Sequence, residues 1–151
     1  MNNLNLNICL LPHAIGKPHY ASENAAGIDL SAGTPKNIAI KSNEYQIIPT
    51  GIQIEIPQGF EGQIRPRSGL ALKHGLSVLN TPGTIDSDYR GEIRVLLINL
   101  GKDDFLITPG MRIAQLIIAP VLKASIKFVD MLETKSERGE KGFGSTGTKS
   151  N

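Results

Sequence analysis

Apolar and polar residues alternate in short runs along most of the chain, as they do in strands with one buried face. The clearest run is residues 51–57, GIQIEIP, in which isoleucines share one face and polar residues the other. Gly- and Pro-containing turn sequences separate many such runs, so the pattern predicts an all-β protein built as a sandwich, jelly roll or barrel. The further predicted strands are 5–10, 37–40, 46–49, 63–65, 76–80, 93–99, 105–107, 113–121 and 125–129.

Two segments depart from this alternation. Residues 68–75, SGLALKHG, begin with a good helix N-cap residue, Ser68, and end with a glycine, which predicts a helix of about two turns near 68–74. From residue 134 onward, four glycines, three lysines and a single large apolar residue predict a mobile tail. The chain is therefore expected to comprise a β domain over 1–133 and a flexible C-terminal arm over 134–151.

Composition and charge narrow the class of protein. A length of 151 residues suits one domain, and a formal charge of only +2 does not indicate a nucleic-acid-binding protein. No apolar run approaches the roughly 20 residues that span a bilayer, and the N-terminal sequence lacks the features of a signal peptide. The one cysteine, Cys9, lies in an apolar run and is expected to be a reduced thiol in the core. These features predict a cytoplasmic protein with no nucleic-acid or membrane partner.

Residues 83–92, GTIDSDYRGE, place two carboxylates, a tyrosine and an arginine close together between two predicted strands. A hairpin tip with this composition can hold a ring and activate a water molecule. Alternatively, Asp86 and Asp88 hydrogen-bond their own backbone in a solvated turn while Tyr89 covers the hairpin edge. Spacing alone does not choose between the two aspartates as a base.

A second candidate site lies at residues 65–69, RPRSG, which deliver a guanidinium, a hydroxyl and free backbone N–H groups to the start of the short helix. Helix N-termini attract anions, and the alternative is that Ser68 simply caps the helix beside surface arginines. In residues 25–30, AAGIDL, an extended backbone would set Asp29 on the face opposite Ile28 and Leu30. A lone carboxylate beside a phosphate site suits Mg²⁺, and the alternative is a turn carboxylate.

Two further polar features stand out. Gln115 interrupts an apolar run, and it either serves a ligand or faces solvent on an edge strand. In the tail, residues 138–147 read RGEKGFGSTG. Glycines there permit close approach to a ligand, Arg138 can fork onto phosphate oxygens, and Phe143 can stack on a planar base. The histidines show no metal-ligand spacing.

Five segments in this order, AGIDL, PRSGLA, GTIDSDYRG, GMRIAQL and RGEKGFGSTG, closely resemble the trimeric dUTP diphosphatases (dUTPases). The likeness runs from about Leu11 to Gly147; Ile28 stands where many relatives carry an aromatic residue, which should affect packing. It implies a β jelly-roll homotrimer that hydrolyses dUTP to dUMP and pyrophosphate with Mg²⁺. This activity keeps uracil out of DNA and supplies dUMP for dTMP synthesis.

The resemblance also implies roles for single residues at active sites that three subunits share. Asp86 would orient and deprotonate the water that attacks the α-phosphorus, and Asp29 would hold Mg²⁺ through water. The short helix and Gln115 would come from one subunit, the hairpin from a second and the tail from a third. The remaining implied contacts are Arg67, Ser68, Gly69 and Gln115 with phosphate oxygens, Asn80 and the backbone of Gly83, Thr84 and Ile85 with uracil, Tyr89 with deoxyribose, Phe143 and Gly144 with the base, and Arg138, Ser145 and Thr146 with the terminal phosphates.

Two other functions compete with this interpretation. A dCTP deaminase, or a bifunctional relative on the same fold, needs a catalytic glutamate in the region where this chain has Asp86, and the tail sequence favours hydrolysis. A non-catalytic nucleotide-binding or regulatory trimer would be favoured by missing carboxylates, but Asp29 and Asp86 are both present.

Overall fold

A computed structural model describes residues 4–132, 136 and 139–140 of the chain. Over these residues the fold is almost entirely β-structure with one short helix, as the alternation predicts. No helix among them is long and apolar enough to cross a membrane. The elements are β1 (Asn7–Leu10), β2 (Ile28–Ser31), β3 (Ile38–Ile40), β4 (Tyr45–Pro49), β5 (Ile52–Glu55), β6 (Phe60–Arg65), α1 (Ser68–His74), β7 (Leu76–Val78), β8 (Gly83–Ile85), β9 (Arg94–Asn99), β10 (Phe105–Ile107) and β11 (Arg112–Pro120).

The strands pair antiparallel in one four-stranded sheet, β2-β11-β6-β8, one three-stranded sheet, β4-β9-β7, and the two-stranded sheets β1-β5 and β10-β3. In the four-stranded sheet Gln115 lies opposite Asp29 on one side and Arg65 on the other. β11 is therefore an interior strand, and the alternative that Gln115 faces solvent on an edge strand is wrong. Directly opposed residues share a face of the sheet, so Asp29 and Gln115 are neighbours.

The core consists of apolar residues at alternate strand positions. Ile28 and Leu30 are buried in β2 while Asp29 and Ser31 are half-buried on the other face, so the backbone around Asp29 is extended and does not form a turn. Asn99 is the largest fully buried polar residue of the described chain. Its amide donates to the carbonyl oxygens of Ile40 and Asp103, both at 2.9 Å, and its Oδ1 accepts the N–H of Gly101 at 2.9 Å.

The connection between β7 and β9 is more elaborate than a hairpin turn. β7 and β9 pair as expected, with Leu76 opposite Asn99. Residues 83–85, which we expected in the turn, instead form β8 and pair with β6 in the four-stranded sheet. The segment that carries Asp86 thus joins the two larger sheets.

Two other predictions are wrong. Cys9 is exposed rather than a core thiol, because in β1 it lies opposite Gln53, while Ile8 lies opposite the buried Ile54. Residues 125–129 form no strand, and the side chain of Phe128 is 94% exposed. A strand needs a hydrogen-bonding neighbour, and this segment has none in the described part of the chain.

Candidate functional site

A cleft of about 540 Å³ opens beside the start of α1, and we call it the anion cleft. Its lining includes Asp29 of β2, Gln115 of β11 and the first turn of α1. Five residues that the sequence singled out lie along it together, although they come from three separate segments. The lining residues are Ala21, Ala25, Ala26, Gly27, Asp29, Arg67, Ser68, Gly69, Leu70, Lys73, His74 and Gln115.

The start of α1 differs from the sequence prediction by one residue. The N-cap is Arg67, with extended backbone at φ −91° and ψ 126°, and no side chain caps it. Its carbonyl oxygen accepts the N–H groups of Leu70 and Ala71. Ser68 is thus the first helical residue and not the cap, so its hydroxyl and the first N–H groups of the helix are available to a ligand. Gly75 ends the helix in the left-handed conformation at φ 67°, as predicted.

Asp29 is the centre of a charge network at one wall of the anion cleft. Its Oδ1 lies 3.1 Å from Nε of Arg67, and its Oδ2 accepts a hydrogen bond of 2.9 Å from Nη1 of Arg112. The Asp29 side chain is only 11% exposed, and a carboxylate can be buried to this extent because two guanidinium groups compensate its charge. Sequence reasoning missed Arg112, since only the pairing of β11 with β2 brings it to Asp29.

Gln115 is fixed by contacts on two sides. Its Nε2 donates to the carbonyl oxygen of Pro66 at 2.8 Å, next to the N-cap of α1. On the other side its Oε1 lies against the backbone of Gly27, where an added Cβ would be only 2.4 Å away. Gly27 is a second residue that sequence reasoning missed as a site component; its presence in the AGIDL segment was the available signal.

The hairpin residues line other clefts. Asp86 and Asp88 lie in a cleft of about 940 Å³ together with Glu55, Arg90 and Lys123. Neither carboxylate has a hydrogen-bond partner within the described chain, so the alternative in which both bond their own backbone does not hold. The turn is closed by the backbone instead, where the Tyr89 N–H donates to the Asp86 carbonyl oxygen at 3.1 Å.

Tyr89 lies in a third cleft, of about 310 Å³, with Thr84 and Ile85. Its hydroxyl donates to the carbonyl oxygen of Glu92 at 3.0 Å, which holds the ring over the end of the turn. The Asn80 side chain extends towards Gly83, since its Nδ2 would lie 3.3 Å from a Cβ added there. The candidate uracil-binding residues are thus close to one another along the chain but apart from the anion cleft.

Glu92 anchors the end of this segment to the N-terminal part of the chain. Its Oε1 lies 2.7 Å from Nε2 of His13 and accepts the Gly51 N–H at 2.8 Å. Burial alone raises the pKa of Glu92, but the hydrogen bonds from His13 and Gly51 and the charges of His13 and Arg94 outweigh it and hold this pKa below its usual value.

The five tail residues Arg138, Phe143, Gly144, Ser145 and Thr146 lie outside the described residues. Within the described ranges, no group of three or more His, Cys, Asp and Glu residues could hold a metal ion. Among the described residues, Asp29 is the one carboxylate that lines the anion cleft. A metal ion there would have a single protein carboxylate, which leaves water and phosphate oxygens as its other ligands.

Comparisons with known proteins agree on one family. The sequence profile of the dUTPase family matches residues 14–147. The chain is 57% identical over 138 residues to the deoxyuridine 5'-triphosphate nucleotidohydrolase of Rickettsia bellii, with 91% of each chain covered. It is 50% identical over 143 residues to that of Chlamydia felis, with 93% of this chain and 97% of the relative covered. The fold is similar to that of a Staphylococcus bacteriophage 80alpha dUTPase mutant with dUpNHpp, at a TM-score of 0.85, 28% identity and coverage of 95% and 99%.

Proposed function

The chain belongs to the dUTPase family and is an enzyme that hydrolyses deoxyuridine 5'-triphosphate, and from this premise we propose how its residues perform the reaction. Water attacks the α-phosphorus in line. A new bond forms between the water oxygen and that phosphorus, while the bond to the oxygen bridging the α- and β-phosphates breaks. The products are dUMP and pyrophosphate. The observation that carries this proposal is the anion cleft, which gathers Asp29, Arg67, Ser68, Gly69 and Gln115.

The anion cleft binds the triphosphate. The hydroxyl of Ser68 and the first N–H groups of α1 donate to phosphate oxygens, and Arg67 adds charge-assisted hydrogen bonds. From the described part of the chain, the cleft receives two basic side chains, Arg67 and Lys73, and one carboxylate, Asp29. The backbone N–H groups and the Arg67 guanidinium are held in place before the substrate arrives. Preorganised donors stabilise the charge that develops on the phosphoryl oxygens.

Asp86 is the general base. Its carboxylate is exposed and accepts no hydrogen bond within the described chain, so it is available to orient a water and take its proton during attack. Asp88 shares the same cleft. The choice of Asp86 over Asp88 rests on the family resemblance and requires the test described below.

The hairpin selects the base and the sugar. Asn80 and the backbone of residues 83–85 read the uracil edge, where cytosine would place a donor in the position of an acceptor and leave polar groups unpaired. Tyr89 packs beneath the deoxyribose and excludes a ribose hydroxyl. The close fit of the segment leaves no room for the methyl group of thymine.

The anion cleft fits a magnesium ion that is held through water. An ionised carboxylate offers about four acceptor positions. The two arginines occupy one position on each Asp29 oxygen, so acceptor capacity remains for metal-bound water. Mg²⁺ usually keeps several waters and takes few carboxylates together with substrate phosphates. When bound, it would neutralise triphosphate charge.

The active enzyme is a homotrimer whose sites form between subunits. Within one chain, Asp86 does not line the anion cleft but a different one. A complete site therefore requires Asp86 from the hairpin of a neighbouring subunit. Residues 121–132 form no regular element and expose large apolar side chains, among them Leu122 (97%), Ile126 (80%) and Phe128 (94%). Apolar surface of this extent favours packing on another subunit. The arm over 134–151, a unit distinct from the β domain over 1–133, closes over the bound triphosphate.

The test is pyrophosphate release with Mg²⁺ from dUTP, dCTP, dTTP and UTP, with the nucleotide product identified and the mass in solution measured by light scattering. We expect dUMP from dUTP alone and a trimer mass. Ammonia and a uracil nucleotide from dCTP would instead indicate a deaminase, and binding without turnover a regulatory protein. A chain that ends before Arg138 should remain trimeric with little turnover; full activity of that variant would contradict the role of the tail.

A further inference from the structure

The Arg67 guanidinium is held on two sides before any ligand is present. Its Nε lies 3.1 Å from Oδ1 of Asp29, and its Nη1 donates to the backbone carbonyl oxygen of Arg112 at 3.1 Å. Its remaining terminal nitrogen, Nη2, has no hydrogen-bond partner among the residues described. The guanidinium therefore presents a free edge while its orientation is already set.

Arg112 contacts both Arg67 and Asp29. Its backbone oxygen accepts from Arg67, and its Nη1 donates to Oδ2 of Asp29 at 2.9 Å. Arg112 is not among the residues that line the anion cleft, and its side chain is 48% exposed. It thus reaches the site through Asp29 and Arg67 and not through the cleft itself.

A local irregularity of the sheet accompanies this arrangement. The pairing of β11 with β2 shifts register between Arg112 and Ala114, which is the mark of a β-bulge. Bulges redirect side chains and are common beside active sites. The shift occurs at the residue whose carbonyl oxygen and side chain both contact the network, while the pairing of Gln115 with Asp29 follows directly after it.

We propose that Arg112 is a positioning residue that holds Asp29 and Arg67 so that the free edge of the Arg67 guanidinium faces the phosphate chain of the substrate. This inference rests on the proposed function of the anion cleft. A long arginine side chain loses rotamer freedom when it orders on a ligand, and a guanidinium that is oriented beforehand avoids most of that loss at binding. Arg112 also supplies the second cation that compensates the half-buried Asp29.

The test compares Arg112→Gln, Arg112→Lys and the exposed control Lys36→Gln, which removes one positive charge from a residue that does not line the anion cleft. We expect Arg112→Gln to raise the KM for dUTP and the Kd of dUpNHpp by about 10-fold and to leave kcat within about 3-fold of the wild-type value. A change of about 10-fold is the lower end of what is lost when a residue that orients a ligand-binding group is removed. Arg112→Lys should recover part of the affinity because it keeps a cation beside Asp29. Lys36→Gln should match the wild type.

Coupling to Asp29 separates positioning from a general structural role. In the Asp29→Asn background, Arg112→Gln should raise Kd by less than about 3-fold, because the carboxylate through which it acts is already lost. Magnesium titration of the dUpNHpp complex by calorimetry gives a second readout. Loss of one cation beside Asp29 should tighten magnesium binding in Arg112→Gln.

An unchanged Kd in Arg112→Gln, or effects of Asp29→Asn and Arg112→Gln that multiply fully, would overturn the inference. These outcomes differ from failure of the proposed function, in which the wild-type chain itself would not turn over dUTP. If Arg112→Gln does not fold, the same comparisons apply to Arg112→Lys, and there a Kd of dUpNHpp equal to the wild-type value would overturn the inference.

Discussion

Replacement of Gly27 by alanine tests how Gln115 is placed in the anion cleft. The new Cβ would lie 2.4 Å from Oε1 of Gln115, whereas ordinary contacts begin at 3.4 Å. The amide must therefore move by about 1 Å, but the Pro66 carbonyl oxygen already lies 2.8 Å away on its other side. The side chain then has to adopt another rotamer, which gives up the hydrogen bond to Pro66. Loss of a partly buried hydrogen bond costs about 1–3 kcal/mol. If the whole cost falls on substrate binding, kcat/KM drops by about 5- to 150-fold.

Steady-state kinetics on dUTP would be measured for Gly27→Ala, Gln115→Ala and the double variant. We expect the double variant to match Gln115→Ala alone, because the clash disappears with the long side chain. Gly69→Ala is the matched control for thermal stability, since it lines the same cleft and an added Cβ would meet nothing within 4 Å. Losses of Gly27→Ala and Gln115→Ala that multiply in the double variant would refute the reasoning.

Three further outcomes are expected. Asp86→Asn should lower kcat by about 10²- to 10⁴-fold with the Kd of dUpNHpp within about 3-fold, and Asp88→Asn should not; the reverse result would exchange their roles. Phe128→Ser should weaken the trimer by about 1.5–3 kcal/mol in analytical ultracentrifugation, whereas an unchanged trimer would show that no subunit covers this ring. Glu92→Gln should lose stability relative to the wild type in urea at neutral pH. Because the pKa of Glu92 is lowered in the folded state, the difference in unfolding free energy between wild type and variant should be full above the usual pKa of 4.5 and shrink as pH falls through the folded pKa. A difference that does not change with pH would contradict a stabilising role of the Glu92 charge.

The strands that alternate strictly were predictable from sequence because their signal is local. β10 occupies the predicted residues 105–107, and β5 lies inside the predicted run at 51–57. β8 was not predictable in this way, since Pro82 and Gly83 favour a turn and its pairing with β6 is a long-range event. The apolar run at 125–129 was predicted to be a strand and forms none, because hydrophobic strand formers do not make a strand without a hydrogen-bonding neighbour.

The site residues likewise divide into those that the local sequence predicts and those whose position depends on tertiary contacts. Helix formers and Gly75 predicted α1 correctly, whereas serine's general preference for the N-cap placed the cap one residue too late. Arg67 occupies that position because its guanidinium pairs with Asp29, a tertiary contact that local propensity does not include. Arg112 escaped prediction because its role depends on the register shift between β11 and β2.

A carboxylate alone at the wall of the anion cleft would oppose the proposed binding of phosphate, but the geometry resolves the conflict. Two guanidinium groups that share one small region repel each other, and without a partner they would spread into solvent. Asp29 accepts one arginine on each oxygen, so it compensates a single charge and fixes the direction of both cations. The three groups together remain cationic, and the cleft gains Lys73 as well. A chain whose net charge is only +2 can therefore present a strongly directed positive site. In the proposed function, the carboxylate supports phosphate binding through the cations it orients, and we therefore expect its removal to weaken phosphate binding although it removes a negative charge.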